Sequence, residues 1–486
     1  MKTTYQNGSR TAVQFLPPPL PQRVLQVSGL PMPVRIVWNT PRQFWAFAAA
    51  IVTASALFCF AASHSITRSR DAIKSVGNDC APSIIAAQQI RSWFADFDAN
   101  EANLLLCDPS SNEGIRSKQA ADQRHRQISD ALVTAAKNIT FVDKERPLVV
   151  GMVNGFAAYE ALMSKAHTLQ EKGDTANALV SARQATSVLQ DTVIPAADAL
   201  DRANTDELES VYARQRFHAQ GAITILVISG LITLGLLVIA QIYLIRRTHR
   251  LLNPALLAAT VITLFQLVNS TVQSVHAAHH LRKAVDDAFA SVHFLWKARA
   301  LGFDANGEES RYLFDREPQQ AAAAERAFQA KTATIANIPP GESYTSIANT
   351  VRLKKPLPRD FTGLLANELG NLSFPGERDA AIDALNTFHD YMAVDEKIRS
   401  FEKSGKHAEA VRLCVSYDDG GSNAAFDDYD HALEKVIRIN QTEFDAACAD
   451  SATILASGEW IIGIATILAI AGTLAGFWPR IREYQV

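Results

Sequence analysis

The stretch AITILVISGLITLGLLVIAQIYLI, residues 222–245, decides the fold because it contains no charged side chain. An apolar run of this length matches the hydrocarbon core of a bilayer, which needs about 20 helical residues to cross. Lipid offers no hydrogen-bond partner to open backbone groups, so such a run has to be a helix. The stretch therefore predicts a membrane-spanning helix.

Three further stretches have the same character, at residues 44–63, 255–275 and 454–478. The first two carry no charge, and the last carries only Glu459 near its start. The stretch at 44–63 is full length and begins well inside the chain, which favours a signal anchor over a cleaved signal peptide. We therefore predict an all-α membrane protein with four transmembrane helices that sits in the lipid bilayer.

Basic residues predict the orientation of these spans. The tail 1–43 contains five Lys or Arg and no acid, the link 246–254 (RRTHRLLNP) contains three Arg, and the tail 479–486 contains two. Excess Lys and Arg mark the cytosolic side of a membrane. We expect both termini in the cytosol of a multi-pass cytoplasmic-membrane protein, with residues 64–220 and 276–453 outside it. These two segments are called the first and second extramembrane domains below. The Pro-rich tail 1–43 is predicted to be disordered, as a solvated tail or as a docking segment.

The chain repeats a landmark between its spans. FDAN occurs at residues 97–100 and again at 303–306, and Tyr159 and Tyr391 each precede a Gly by the same spacing. Matched order and spacing predict a tandem duplication of span, helical domain and span. The second copy carries a Pro- and Gly-rich insertion at 338–377, for which we expect a long loop with one short helix over 360–372.

Each extramembrane domain is predicted to be a helical bundle. In the first, chain breakers near 107–114, 138–147 and 171–174 separate four helices. An up-down-up-down bundle returns both ends of the domain to the membrane, as the spans require. Pro82 and Pro195 are expected to kink the long helices.

The repeated motif supplies the candidate site. At helical periodicity Phe97 and Phe303 fall in the apolar stripe, and the polar residues beside them fall on its flanks. Three interpretations stay open: these side chains fix which helices pack together, they bind a ligand or partner and rearrange, or they reflect chance or ancestry without a present role. Glu101 lies inside the stripe, where a carboxylate needs a salt bridge or a ligand contact. The candidate ligand- or partner-binding residues are Asp98, Asn100, Glu101, Asp304 and Asn306.

Other chemistry is sparse. No phosphate loop, nucleophile triad, zinc signature or kinase motif is present, so we expect a non-enzyme without cofactor or metal. His276 and His280 share a helix face but lack a third ligand. A net charge of -3 without a long basic run argues against nucleic acid as a partner. Helical separations argue against disulfides within either domain, while pairing across domains stays open. Gln266, either Asn269 or Ser270, and Gln273 share one face of the third span, which we expect to pack on other helices.

The residues resemble a known family. RSWFADFDANEANLLL, residues 91–106, is similar to an acidic D-x-D-A-x-x-A-x-x-L element of GlnX-type bacterial membrane proteins, and so is the link beginning RRTHRLLNP. The matching positions are Asp96, Asp98, Ala99, Ala102 and Leu105. By architecture, the domains are also similar to the four-helix ligand-binding bundles of chemoreceptors.

The resemblance implies a transmembrane sensor. In such a system an extracytoplasmic solute-binding protein reports an amino acid, and a cytosolic Ser/Thr kinase receives the signal. The alternative is a non-enzymatic envelope scaffold that docks other membrane proteins, and self-association into a homo-oligomer stays open.

Overall fold

The computed structural model describes residues 40–137, 139, 142–248 and 253–483, and these residues form a helical protein. The only β-pairing among them is one isolated bridge between Asn337 and Thr362. The all-α prediction is therefore confirmed. The helices are α1 (Thr40–Lys74), α2 (Ala81–Leu106), α3 (Asn112–Lys137), α4 (Val142–Glu171), α5 (Thr175–Val188), α6 (Ile194–Thr248), α7 (Pro254–Arg282), α8 (Ala290–Phe314), α9 (Pro318–Ile335), α10 (Tyr344–Arg352), α11 (Leu364–Gly370), α12 (Glu377–Lys403), α13 (His407–Val415) and α14 (Ser422–Glu483).

Four helical runs are long and apolar enough to cross a membrane: Arg42–Leu106, Thr175–Arg247, Pro254–Phe314 and Ser422–Glu483. The shortest of them has 61 residues, about three times what a bilayer needs. Most of each run therefore projects beyond the apolar stretch and builds an extramembrane domain. The four spans predicted from the sequence are confirmed as apolar helices, and their orientation stays a prediction.

Short π-helical turns interrupt three of the four long runs, at Ser75–Cys80, Leu189–Val193 and Lys283–Phe289. The first two turns end just before Pro82 and Pro195, which mark the predicted kinks. Proline has no N–H group to donate to the preceding helical turn, and each of these two π-helical turns lies at the position where that hydrogen bond is missing. The third turn has no proline near it.

At the end of the transmembrane bundle that lies away from the extramembrane domains, one polar residue links α7 to α14. Asn253 caps α7, where its side-chain oxygen accepts a hydrogen bond from the Ala255 amide at 3.1 Å. Its amide group donates to the Gly476 carbonyl of α14 at 2.8 Å. Phe44, Leu244, Leu256 and Phe477 pack around this contact in one apolar cluster. Residues 1–39 of the predicted disordered tail and 249–252 of the basic link lie outside the described residues.

Polar residues within the spans pack inward, as the sequence predicts. Gln266 is buried and donates to the Thr466 hydroxyl of α14 at 3.0 Å. Ser270 and Gln273 are buried on the same face of α7. The prediction that this face contacts other helices is therefore confirmed.

The first extramembrane domain has the four predicted helices, with breaks at the three predicted places: α2, α3, α4, and α5 continuing into α6. Its core contains Phe94, Phe97, Phe156 and Tyr159. The core of the second domain surrounds Phe303, Phe328, Tyr391 and Phe426. All five cysteines are free, in agreement with the helical geometry that argued against disulfides.

The insertion at 338–377 contains two short helices, α10 and α11, where the sequence predicted one. The prediction of 360–372 corresponds to α11. The missed helix, α10, begins with a capping box in which Ser343 and Ser346 bond to each other's backbone amides. This arrangement satisfies two open donors of the first helical turn and stabilises a helix of only 9 residues.

Gly363 immediately precedes α11 in the insertion, and its backbone conformation leads to a testable prediction. Its φ of 113° is in the glycine-favoured region, and an added Cβ would lie 2.7 Å from the Ile335 carbonyl oxygen. We expect Gly363→Ala to destabilise the protein by about 1–3 kcal/mol, measured by thermal unfolding of the full chain in detergent. Gly370→Ala is the matched control, since a Cβ there meets no atom within 4 Å. Equal losses in the two variants would contradict this account.

Candidate functional site

The two FDAN motifs lie on neighbouring helices, because α2 and α8 pack side by side and join the two extramembrane domains. An added Cβ on Gly307 would lie 3.5 Å from the Ala99 Cα, so the helix backbones approach closely at the motifs. Further along, the Ser310 hydroxyl donates to Asn103 Oδ1 at 2.5 Å. The sequence predicted polar residues on either side of each Phe. In the structure, these residues face the interface between α2 and α8.

Asp98 on α2 and Asp304 on α8 each bind an arginine of the opposite helix. Arg311 Nη1 on α8 donates to Asp98 Oδ2 on α2 at 2.7 Å. In return Arg91 Nη2 on α2 donates to Asp304 Oδ2 on α8 at 2.9 Å. All four side chains are more than nine-tenths buried. The two ion pairs are reciprocal and tie the first domain to the second.

Arg311 anchors the larger half of this network. Its Nε donates to Glu308 at 3.0 Å, and Lys331 of α9 donates to the same carboxylate at 2.8 Å. Burial raises the pKa of Glu308, but the charges of Arg311 and Lys331 outweigh burial and lower it to about 2. Burial likewise opposes the charge on Arg311, and the carboxylates of Glu308 and Asp98 keep its pKa above the usual value. Both groups therefore stay charged at neutral pH.

Arg91 anchors the other half. Its Nε donates to Asp198 of α6 at 2.8 Å while its Nη2 holds Asp304. Gln190, in the second π-helical turn, donates to the other oxygen of Asp304 at 3.4 Å. Burial lowers the pKa of Arg91, but the two aspartates outweigh it and hold the pKa above its ordinary value.

Tyr159 and Tyr391, each of which precedes a Gly by the same spacing, also contact the motifs. Tyr159 is fully buried, and its hydroxyl donates to Asp98 Oδ1 at 2.9 Å. Burial and the adjacent Asp98 charge raise its pKa well above the ordinary value, so it remains a donor. Tyr391 is equally buried and lies beside Asn306 of the second motif. Each tyrosine thus contacts the FDAN motif of its own domain.

The remaining candidate residues have local partners. Asn100 donates to the Asp96 backbone at 2.9 Å and to its carboxylate at 2.7 Å, and Arg124 of α3 pairs with the same carboxylate. Burial raises the pKa of Asp96. Glu101 bonds His167 of α4 at 2.7 Å. The salt-bridge interpretation of Glu101 is therefore the one that the structure supports.

The FDAN motif of α8 is followed by Gly307, where that of α2 is followed by Glu101. An added Cβ on Gly307 would lie 3.1 Å from Arg311 Nη2, so the guanidinium would have to shift by a few tenths of an ångström. The glycine therefore leaves room for the guanidinium that pairs with Asp98.

Cavities flank this interface on several sides. One of about 690 Å³ lies in the first domain and another of about 750 Å³ between α2 and α14, and both are lined by Trp93. A third, of about 700 Å³, lies between α9, α10 and α12 and is lined by Phe328, Tyr344 and Arg399. Each is of a size that accepts a small molecule. The described residues contain no group of three His, Cys, Asp or Glu side chains placed to hold a metal.

Sequence reasoning missed the arginines, although a signal for them exists. Arg91 lies seven residues before Asp98, and Arg311 lies seven residues after Asp304. Seven residues are close to two helical turns, so each arginine shares a face with its own motif's aspartate. When a buried helix face carries both an arginine and an aspartate, each charge requires a counter-charge from the neighbouring helix. Here α2 and α8 supply these counter-charges to each other.

The fold and this interface define a class: a four-span, all-α membrane protein whose two extramembrane domains are joined through buried ion pairs. Residues 72–213, which cover most of the first extramembrane domain, match the actinobacterial sensor domain family. The match supports a bacterial membrane protein of the sensor type and suggests a sensing or signalling role. No curated protein and no solved structure matches the chain.

Proposed function

We propose that this chain is a transmembrane signal transducer whose two extramembrane domains move their spans together. The observation that carries the proposal is that the reciprocal pairs Arg311–Asp98 and Arg91–Asp304 join α2 to α8. Both helices continue, through π-helical turns, into the first and third spans. The motifs lie roughly 40–55 Å along the helix from the ends of these spans. A change of packing at the motifs has a direct mechanical route into the membrane.

The π-helical turns support this route. They lie between the motifs and the spans, at Ser75–Cys80 and Lys283–Phe289. Such turns are weak points of a helical ladder and are found at functional positions. A small shift between two packings of α2 against α8 would then appear as a tilt or piston movement of the first and third spans.

The finer proposal concerns the signal and its receiver. We infer an extracytoplasmic amino-acid signal, delivered by a solute-binding protein, and a cytosolic Ser/Thr kinase as the receiver. The resemblance to GlnX-type proteins supports both partners, and the basic residues of the link and tails support cytosolic termini. We propose that the chain has no catalytic activity of its own and that its output passes through this separate protein.

An envelope scaffold is the alternative function. It is favoured by the many buried ion pairs, which suit a rigid docking platform as well as a sensor. A scaffold would hold its partners regardless of the small molecules outside the cell.

Purification of the full chain from native membranes separates the two functions. Cells are grown with and without an amino-acid supply, partners are cross-linked, and the recovered proteins are identified by mass spectrometry. A Ser/Thr kinase whose recovery changes several-fold with the supply supports the sensor. The variant Arg246→Gln/Arg247→Gln, in the basic link, should lose the kinase and keep the extramembrane partners. Recovery of envelope proteins alone, unchanged by the supply, supports the scaffold and contradicts the sensor.

A further inference from the structure

A groove of about 260 Å³ lies between α6 and α7, just beyond their apolar stretches. Its floor is apolar and includes Ala219, Ala277 and Leu281. Its rim carries two exposed arginines, Arg216 on α6 and Arg282 on α7. The groove therefore combines an apolar floor with a positively charged rim at the level where a bilayer presents its headgroups.

The rim keeps a net positive charge. Within the described part of the chain, neither Arg216 nor Arg282 forms an ion pair. Asp286 lies close by, where its carboxylate accepts the Tyr212 hydroxyl at 3.0 Å, and it offsets one of the two positive charges but not both. A smaller notch adjoins the groove and brings in Arg68 of α1 and His218 of α6. Three helices thus direct cationic side chains to one place.

An exposed apolar stripe leads from the groove along α7 into the membrane. Val275, Val272 and Val268 follow one another at helical spacing and are 49%, 49% and 55% exposed. Ile223 lines the groove itself, at the start of the second span. The apolar surface below the arginines is therefore continuous with the lipid-facing surface of the bundle.

We propose that this groove is a binding site for one anionic phospholipid. The lipid phosphate accepts hydrogen bonds from Arg216 and Arg282, and an acyl chain lies along the valine stripe of α7. Guanidinium groups bind phosphate through paired, charge-assisted hydrogen bonds. Basic pockets between transmembrane helices are suited to lipid headgroups. A headgroup that carries its own cation would bring that cation against the arginines, so the site selects lipids with a net negative charge.

Occupancy of this site does not depend on the signal that the protein transmits. The lipid would bridge α6 and α7, which are the two helices of the hairpin that links the halves of the chain. The inference therefore goes beyond the proposed sensor role, and each can fail without the other.

The test uses the full chain, purified in detergent and stripped of lipid. Phosphatidylglycerol, phosphatidylcholine and inorganic phosphate are added separately, and thermal unfolding and lipid retention in native mass spectrometry are recorded. We expect phosphatidylglycerol to raise the melting temperature and to be retained, and the other two to do neither. The variant Arg216→Gln/Arg282→Gln should bind phosphatidylglycerol about tenfold more weakly.

Arg214→Gln/Arg438→Gln is the matched control. It removes the same number of charges at exposed arginines that are already paired, with Glu207 and Glu434. It should bind phosphatidylglycerol as the unmodified chain does. Equal responses to phosphatidylglycerol and phosphatidylcholine, an equal response to inorganic phosphate, or equal losses in the two double variants would each overturn the proposal.

Discussion

Arg311→Ala is expected to destabilise the protein by about 3–5 kcal/mol, because it leaves the buried Asp98 carboxylate without a counter-charge and the buried Glu308 carboxylate with one of its two. Among the ion pairs of the described residues, only Arg311 contacts both Asp98 of the first domain and Glu308 of the second. Asp98 retains only the Tyr159 hydroxyl, and Glu308 retains only Lys331. Denaturant unfolding of the full chain in detergent, followed by tryptophan fluorescence, measures the loss.

Arg183→Ala is the matched control for this variant. Arg183 also pairs with two acids across the domain boundary, Asp315 and Glu317, each at 2.6 Å. Its side chain is 34% exposed, where that of Arg311 is 9% exposed. Solvent reaches Arg183 and Glu317 but not Asp315, which is 7% exposed, so removal of Arg183 should cost about 1–3 kcal/mol, less than removal of Arg311. Similar losses in the two variants would show that apolar packing, and not the buried network, holds the domains together.

A double-mutant cycle then isolates the contact between the domains. Asp98→Asn removes the charge that Arg311 compensates, so Arg311→Ala should cost less in that background than in the original chain. The difference measures the coupling of the two residues, which for contacting groups lies at about 0.5–3 kcal/mol. Strict additivity would mean that Arg311 acts mainly through Glu308, within the second domain.

Much of the first domain could be predicted from sequence because its signals are local. The break between α2 and α3 contains Asp108 and Pro109, and the break between α4 and α5 contains Gly173 and Asp174, residue types that disfavour helix. The burial of Phe97 and Phe303 follows from helical periodicity alone. The lengths of the spans follow from the thickness of a bilayer.

The partner of each buried face could not be predicted in the same way. Periodicity says that Asp98 and Asp304 lie at a core boundary, but the helix across that boundary is set by tertiary packing. The π-helical turn at Lys283–Phe289 has no proline to announce it, in contrast to the other two. The arginines at seven-residue spacing were a readable signal, since a charged face that is also apolar demands a charged partner.

Glu308 and Glu309 are neighbours on α8, and their pKa values are shifted in opposite directions. Variants of the two residues therefore test the electrostatics of the second domain. Glu309 is fully buried among Asp395 and Arg399 of α12, Cys414 of α13 and Ser422 of α14. Burial and the Asp395 charge raise its pKa to about 8, from an ordinary value of 4.5. Between these pH values the folded chain holds a proton that the unfolded chain has released. The contribution of Glu309 to stability therefore falls as pH rises from about 4.5 to about 8, and is constant above.

Glu309→Gln removes this titration, and the stability of the variant should fall less steeply over that pH range. At pH near 9 the free energy of unfolding of the variant should exceed that of the original chain by a few kcal/mol at most.

Glu308→Gln is the adjacent control, because the pKa of Glu308 is shifted in the opposite direction, to about 2. The contribution of Glu308 is present above about pH 4.5 and is lost only as pH falls through about 2, so Glu308→Gln should lower stability by the same amount at pH 6 as at pH 9. Denaturant unfolding at several pH values measures all three chains. A Glu309→Gln variant that kept the pH slope of the original chain would show that Glu309 is ionised in the folded protein, with Arg399 as its counter-charge.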